Sequence, residues 1–129
     1  MKLAFITGAT KGIGRSTAIT FANAGWDLIL LSRDLEMMEI LRDELKDTGS
    51  TINLIKCNLS NANEIDNSIN ESIKKYGCPS VLINNAGCAF NGNLVEMPLR
   101  KWQEIIQINL TSIFQILSLI HISEPTRPY

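Results

Sequence analysis

The sequence predicts an α/β fold, a parallel sheet in the order 3-2-1-4 with helices on both faces. This is slightly more than half of a doubly wound architecture. Three observations predict it. Strand-like and helix-like segments alternate with short connections along the 129 residues. The strand-like segments are short, continuous apolar runs, as in strands covered on both sides. A glycine turn sits between the first such run and the first helix, where these sheets open their crevice.

Leu3 to Ile6 reads as strand one. Ile13 to Ala24 reads as a helix with Ala18, Phe21 and Ala22 facing inward and Gly25 at its end. Leu28 to Leu31 is the second strand. Leu35 to Lys46 follows as an amphipathic helix, with Met38, Leu41 and Leu45 at helical spacing, Asp34 as its N-cap and Gly49 as its stop. Ile52 to Ile55 is strand three. Ser60 is the expected N-cap of the next helix, in which Ile65, Ile69 and Ile73 repeat up to Gly77. Val81 to Ile83 is strand four, expected to be buried by its apolar continuity. A loop rich in Asn and Gly runs from Asn84 to Pro98, and a last helix starts near Leu99 and carries Trp102, Ile105, Ile106, Asn109 and Ile113.

Composition narrows the function classes. The chain is long enough for one domain with a core but not two. Its 45% hydrophobic and 19% charged residues are ordinary for a globular protein. A formal net charge of -1 gives no electrostatic reason to expect nucleic acid or an anionic membrane as partner. No apolar run reads as a membrane span, and Met1-Lys2 leads straight into a strand, so a cytoplasmic location is expected. Cys57, Cys78 and Cys88 fit no zinc spacing and His121 is the sole histidine, so no metal site is expected.

The turn Thr7-Gly8-Ala9-Thr10-Lys11-Gly12-Ile13-Gly14 carries the first chemistry. Its backbone N–H groups and the positive end of the following helix both suit a dinucleotide pyrophosphate. Gly8 is expected to allow the tight turn, Gly12 the close approach of a phosphate, and Gly14 the packing of helix on strand. At the end of strand two, an NAD site usually presents an acid to the ribose 2′-OH. Ser32-Arg33 stands there instead, and Arg33 with Lys11 offers cationic donors to a 2′-phosphate. NADP(H) is therefore expected over NAD(H).

The glycine turn together with Asn84-Asn85-Ala86-Gly87 at the end of strand four resembles the short-chain dehydrogenase/reductase superfamily. The resemblance covers roughly residues 1 to 116 and includes Asn109 in Ile108-Asn109-Leu110. It implies a partial Rossmann fold and hydride transfer between NADP(H) and a small carbonyl or alcohol substrate. It further implies that Gly8, Thr10, Lys11, Gly12 and Ile13 line the phosphates and that Ser32 and Arg33 hold the adenosine ribose. Asn58-Leu59 would lie beside the adenine, although Asn58 departs from the family's usual Asp; its side-chain oxygen could still accept from the adenine amino group. Asn85, Ala86 and Gly87 would pass close to the cofactor, Asn84 would help tie the central strands, and Asn109 would hold a water in a proton relay. A homodimer or homotetramer is implied for the full-length form, because the helix carrying Asn109 often forms a subunit interface.

The family's acid/base residues are a serine, a tyrosine and a lysine four residues after it. Here Tyr76 is followed four residues on by Ser80, Tyr129 is the last residue, and no lysine follows Lys101. The chain is thus expected to be an N-terminal fragment, inactive by itself, with residues 1–116 as a truncated NAD(P)-binding domain. Residues 117–129 resemble a translated sequencing adapter and are expected to be a non-native tail in which His121 carries no function. The alternative is a non-catalytic NADP-binding sensor or scaffold. An extended-family epimerase or dehydratase is disfavoured by the glycine spacing and by Asn84-Asn85-Ala86-Gly87.

Overall fold

A computed structural model describes residues 2–122. Ser123 to Tyr129, most of the expected tail, lie outside the described residues. Four strands, β1 (Leu3–Thr7), β2 (Asp27–Ser32), β3 (Ile52–Lys56) and β4 (Val81–Ile83), form one parallel sheet in the order β3-β2-β1-β4. Phe5 is in register with Ile29 on one side and Leu82 on the other. Five α-helices surround the sheet: α1 (Gly12–Asn23), α2 (Leu35–Glu44), α3 (Ala62–Tyr76), α4 (Leu99–Ile106) and α5 (Ser112–Ile122).

The side-chain alternation of the strands divides the core into two halves. Leu3 and Phe5 of β1, with Ile29 and Leu31 of β2, point to the face covered by Ile65 and Ile69 of α3 and Ile116 and Ile120 of α5. Ala4 and Ile6, with Leu28 and Leu30, point to the opposite face, where Ala18 and Ala22 of α1 and Met38 and Leu41 of α2 pack. A continuous apolar run is what a strand needs when each face meets a different helix layer.

Several local expectations change in the structure. Strand four is only half-buried, because β4 is the sheet edge and pairs only with β1. Phe21 is half-buried rather than inward-facing and packs edge-on against Trp26, ring centroids 5.1 Å apart. The second helix ends at Glu44, and a short 3-10 turn over Lys46–Thr48 leads to the left-handed Gly49. Asn61, not Ser60, caps α3 by accepting from the Glu64 N–H. Ser60 is already engaged: its N–H and hydroxyl both donate to Asn58 Oδ1, at 3.0 and 2.7 Å.

The last helix is interrupted. Between α4 and α5, residues Gln107–Thr111 form a π-helical turn. From Leu99 to His121 the helical segment is 23 residues long and contains an 18-residue stretch with a mean hydropathy of 1.2, long and apolar enough by length and composition alone to cross a membrane. It is not a continuous apolar run, since Arg100, Lys101, Glu104, Gln107, Asn109 and Gln115 interrupt it. The same segment sends Ile108, Ile116 and Ile120 into the core against the sheet. Within it, Leu117–Ile122 continue α5 although they belong to the expected tail.

Candidate functional site

The four strands all end at one crevice, beside the switch point between β1 and β4. It is a cleft of about 360 Å³. The loop after β1 contributes Gly8, Thr10 and Lys11, and the end of β2 contributes Ser32 and Arg33. Asn58 and Leu59 come from the loop after β3, and Asn85, Ala86 and Gly87 from the loop after β4. Ten of the residues singled out in the sequence thus meet in one place.

The glycine turn has a distinct reason for each glycine. Gly8 has φ 65°, a region L side chains rarely adopt, and a Cβ there would lie 2.9 Å from Ala86 Cα. Its N–H donates to the Leu31 carbonyl at 3.0 Å, fixing the turn onto β2. Gly12 has φ 60° and open space where a Cβ would stand. A Cβ on Gly14 would lie 2.2 Å from the Gly8 carbonyl oxygen and 2.5 Å from Asn85 Nδ2. Gly14 therefore lets α1 start directly beneath the turn. Gly12, Ile13 and Gly14 do not line the cleft, and Ile13 is 77% exposed. Only the start of the turn faces the crevice, because the chain from Gly12 onward is already helix.

A buried hydroxyl joins β1 to the loop after the edge strand β4. Thr7 Oγ1 accepts from the backbone N–H groups of Asn85 and Ala86, both at 3.0 Å. The Asn85 side chain donates through Nδ2 to the Gly8 carbonyl at 3.0 Å. The tie expected of Asn84 is thus made by Thr7 and Asn85. Thr7 belongs to the glycine-turn motif, where spacing alone signals no such role.

The cationic groups come from two loops, Lys11 from the one after β1 and Arg33 from the one after β2. Lys11 and Arg33 are both exposed, and neither takes part in an ion pair among the described residues. Asp34 also lines the cleft, but its carboxylate accepts from the Met37 N–H and caps α2. Ser32 Oγ accepts from the Asp34 N–H at 3.2 Å. In the loop after β3, Asn58 Oδ1 accepts from both donors of Ser60. That oxygen already serves the local turn, so a further donor would share it with Ser60.

Asn109 does not line the cleft. Its Oδ1 accepts from the Cys88 N–H at 3.0 Å and its Nδ2 donates to the Cys88 carbonyl at 2.7 Å. Both ends of the amide hold a backbone segment that does line it. A Cβ on Gly87 would meet Asn109 Oδ1 at 2.8 Å, so this clamp depends on a glycine there. Leu31, Cys57, Cys88 and Ile108 complete the lining and were not singled out in the sequence. Their signal was adjacency alone, each standing next to a residue already named.

Cys57 is buried at 1% exposure. Burial pushes its thiol above the ordinary value of 9.0; a hydrogen bond with Ser68 partly opposes this and the nearby Glu64 adds to it. A raised folded value means that the stability from the neutral thiol is complete below 9.0 and falls as pH rises past it. Cys57 is therefore expected to resist alkylation at pH 8 in the folded chain and to react in urea. Peptide mass spectrometry after iodoacetamide checks this; equal labelling in both states contradicts it. Among the described residues, no group of three or more His, Cys, Asp or Glu is placed to hold a metal ion.

A family model described as short chain dehydrogenase matches residues 2–121. The chain is 32% identical over 117 residues to the 3-oxoacyl-(acyl-carrier-protein) reductase FabG of Staphylococcus aureus strain Mu50, covering 90% of this chain and 48% of that protein. It is 32% identical over 114 residues to a 3-oxoacyl-(acyl-carrier-protein) reductase of Synechocystis, covering 88% and 46%. A metagenomic short-chain oxidoreductase solved in complex with NADP superposes with TM-score 0.89 at 28% identity, over 95% of this chain and 56% of that one. An alcohol dehydrogenase from the archaeon Thermococcus sibiricus, complexed with 5-hydroxy-NADP, superposes with TM-score 0.88 at 28% identity, over 95% and 53%. The chain spans about half the length of the curated relatives it matches.

Proposed function

The chain belongs to the short chain dehydrogenase family, and from that premise we propose that it is the cofactor half of an NADP(H)-preferring oxidoreductase acting on a small carbonyl or alcohol. Support comes above all from Lys11 and Arg33, which line the cleft and form no ion pair among the described residues. The acid that could select NAD, Asp34, is turned into the α2 cap. The relatives solved with NADP or 5-hydroxy-NADP support the same cofactor.

When bound, NADP(H) supplies or takes up the hydride. The residues of this chain would bind and orient it. Thr10, Lys11 and the turn beginning at Gly8 would face the pyrophosphate, with the N-terminus of α1 adding a favourable dipole. Arg33 would fork onto the 2′-phosphate, and Asn58 and Leu59 would flank the adenine. Asn85, Ala86 and Gly87 would pass along the nicotinamide side as backbone, with Asn109 acting through Cys88. The lack of a Tyr-x-x-x-Lys pair in the 129 residues leaves no acid/base couple of the family's kind. Purified chain is accordingly expected to bind NADPH without oxidising it in the presence of a reactive ketone. Turnover above the buffer rate overturns the proposed inactivity.

Arg33→Ala is expected to weaken NADPH binding about tenfold while leaving NADH binding unchanged, since one charge-assisted contact is lost. Calorimetric titration with both nucleotides reads this directly. An equal loss for both, or none, would remove the basis for NADP preference.

We further take residues 1–116 as the domain proper and 117–129 as a foreign tail. The test is the genomic locus: a continuous reading frame through Tyr129 contradicts it. The same reading frame decides between enzyme and sensor, because a downstream Tyr-x-x-x-Lys belongs only to the enzyme. The full-length protein would be cytoplasmic and a homodimer or homotetramer. Trp102, Leu110 and Phe114 of the last helical segment are exposed and apolar, as an interface between copies needs.

A further inference from the structure

The π turn over Gln107–Thr111 interrupts the last helix where Ile108 meets the cleft. π turns cost hydrogen-bond geometry and persist only where something specific supports them. In the turn, the Ser112 N–H donates to the Gln107 carbonyl, five residues back. In an α-helix the same N–H would donate to the Ile108 carbonyl, four residues back. The Ile108 carbonyl is not left without that donor: Ser112 Oγ–H donates to it at 2.6 Å. One residue thus moves its backbone donor to the π register and replaces it with its side chain. Ser112 is 1% exposed, so no water competes for the bond.

The exchange fixes the backbone at Ile108 and so the start of Asn109, the next residue. Ile108 lines the cleft, and Asn109 clamps both polar groups of the Cys88 backbone. A second bridge braces the same turn: Gln107 Nε2 donates to Gln115 Oε1 at 2.9 Å, and Gln115 Nε2 donates to the Ala62 carbonyl at 3.3 Å. The helix beyond the turn is thereby fixed to the start of α3. Ser112 itself does not line the cleft.

We propose that Ser112 is a positioning residue: its hydroxyl holds the π register that aims Asn109 at Cys88 and so shapes the β4 side of the cofactor cleft. The ligand arm of the test rests on the cofactor reading above, and the exchange arm does not. In the ligand-free chain, Ser112→Ala is expected to speed amide hydrogen exchange at Cys88 by about fivefold or more, the equivalent of one lost hydrogen bond. Exchange at Gly8, whose N–H is bound to Leu31 on the other side of the cleft, should not change. Ser112→Thr keeps the hydroxyl and should exchange like wild type at Cys88. With nucleotides, Ser112→Ala should weaken NADPH by about fivefold and leave 2′,5′-ADP unaffected, because in the proposed binding mode only NADPH would extend to the β4 side.

Unchanged exchange at Cys88 in Ser112→Ala overturns the proposal, as does Ser112→Thr exchanging like the alanine variant. Faster exchange at Gly8 and Cys88 together would make Ser112 a general stability residue and also overturns it. Failure of wild type to bind either nucleotide overturns the cofactor reading, while the exchange result still decides the role of Ser112.

Discussion

Gly14→Ala is expected to remove nucleotide binding and to destabilise the chain by about 2–3 kcal/mol. Alanine is the better helix former, and at an open helical position the change would stabilise by about 1 kcal/mol. Here the new methyl would lie 2.2 Å from the Gly8 carbonyl oxygen, which is backbone, and 2.5 Å from Asn85 Nδ2. Neither neighbour can swing aside alone. Gly8 is tied to Leu31, and Asn85 is tied to Gly8 and Thr7. Relief therefore requires α1 to move away from the turn, which separates the helix N-terminus from the crevice. Urea denaturation and NADPH titration check the two halves of this expectation. Ser16→Ala, an exposed change on the same helix, is the control and should shift stability by less than about 0.5 kcal/mol. Wild-type affinity in Gly14→Ala would show that the turn can relax without cost to the site.

Thr7→Val should destabilise by about 2–4 kcal/mol, because it leaves two backbone donors without their acceptor. The side chain keeps its shape, so no cavity contributes. Thr7 is 2% exposed, and the N–H groups of Asn85 and Ala86 both point at its hydroxyl. Releasing them frees the strand-four loop from β1 at the switch point itself. Thr7→Ser retains the acceptor and loses only a methyl, at a cost of about 1 kcal/mol. The separation between valine and serine in denaturant midpoint is the decisive reading. If the two variants unfold together, packing rather than the hydroxyl holds the strands.

The elements most legible in the sequence were those whose cause is local. Leu28 to Leu31 announces a doubly covered strand by composition, and Gly25, Gly49 and Asp34 mark helix ends through backbone freedom and capping. The loop residues after each strand were also legible, since parallel strands deliver their C-terminal loops to the same side. Ser60 failed as a cap because Asn58 captured it, and strand four failed as a buried strand because burial depends on neighbours in the sheet. Neither competitor is visible in a hydrophobic pattern.

The sequence by itself determined the sheet order, the glycine turn, the pair of cations and the family to which they belong. These follow from periodicity, from backbone freedom at glycine and from residue chemistry at fixed offsets. Tertiary structure alone decided the rest: that Thr7 holds two strands by one hydroxyl, that Asn109 spends its amide on Cys88, and that a π turn supported by Ser112 aims it there. Each is a bond between residues that the fold must first bring together, or a helical register that such a bond selects, and no spacing along the chain encodes it.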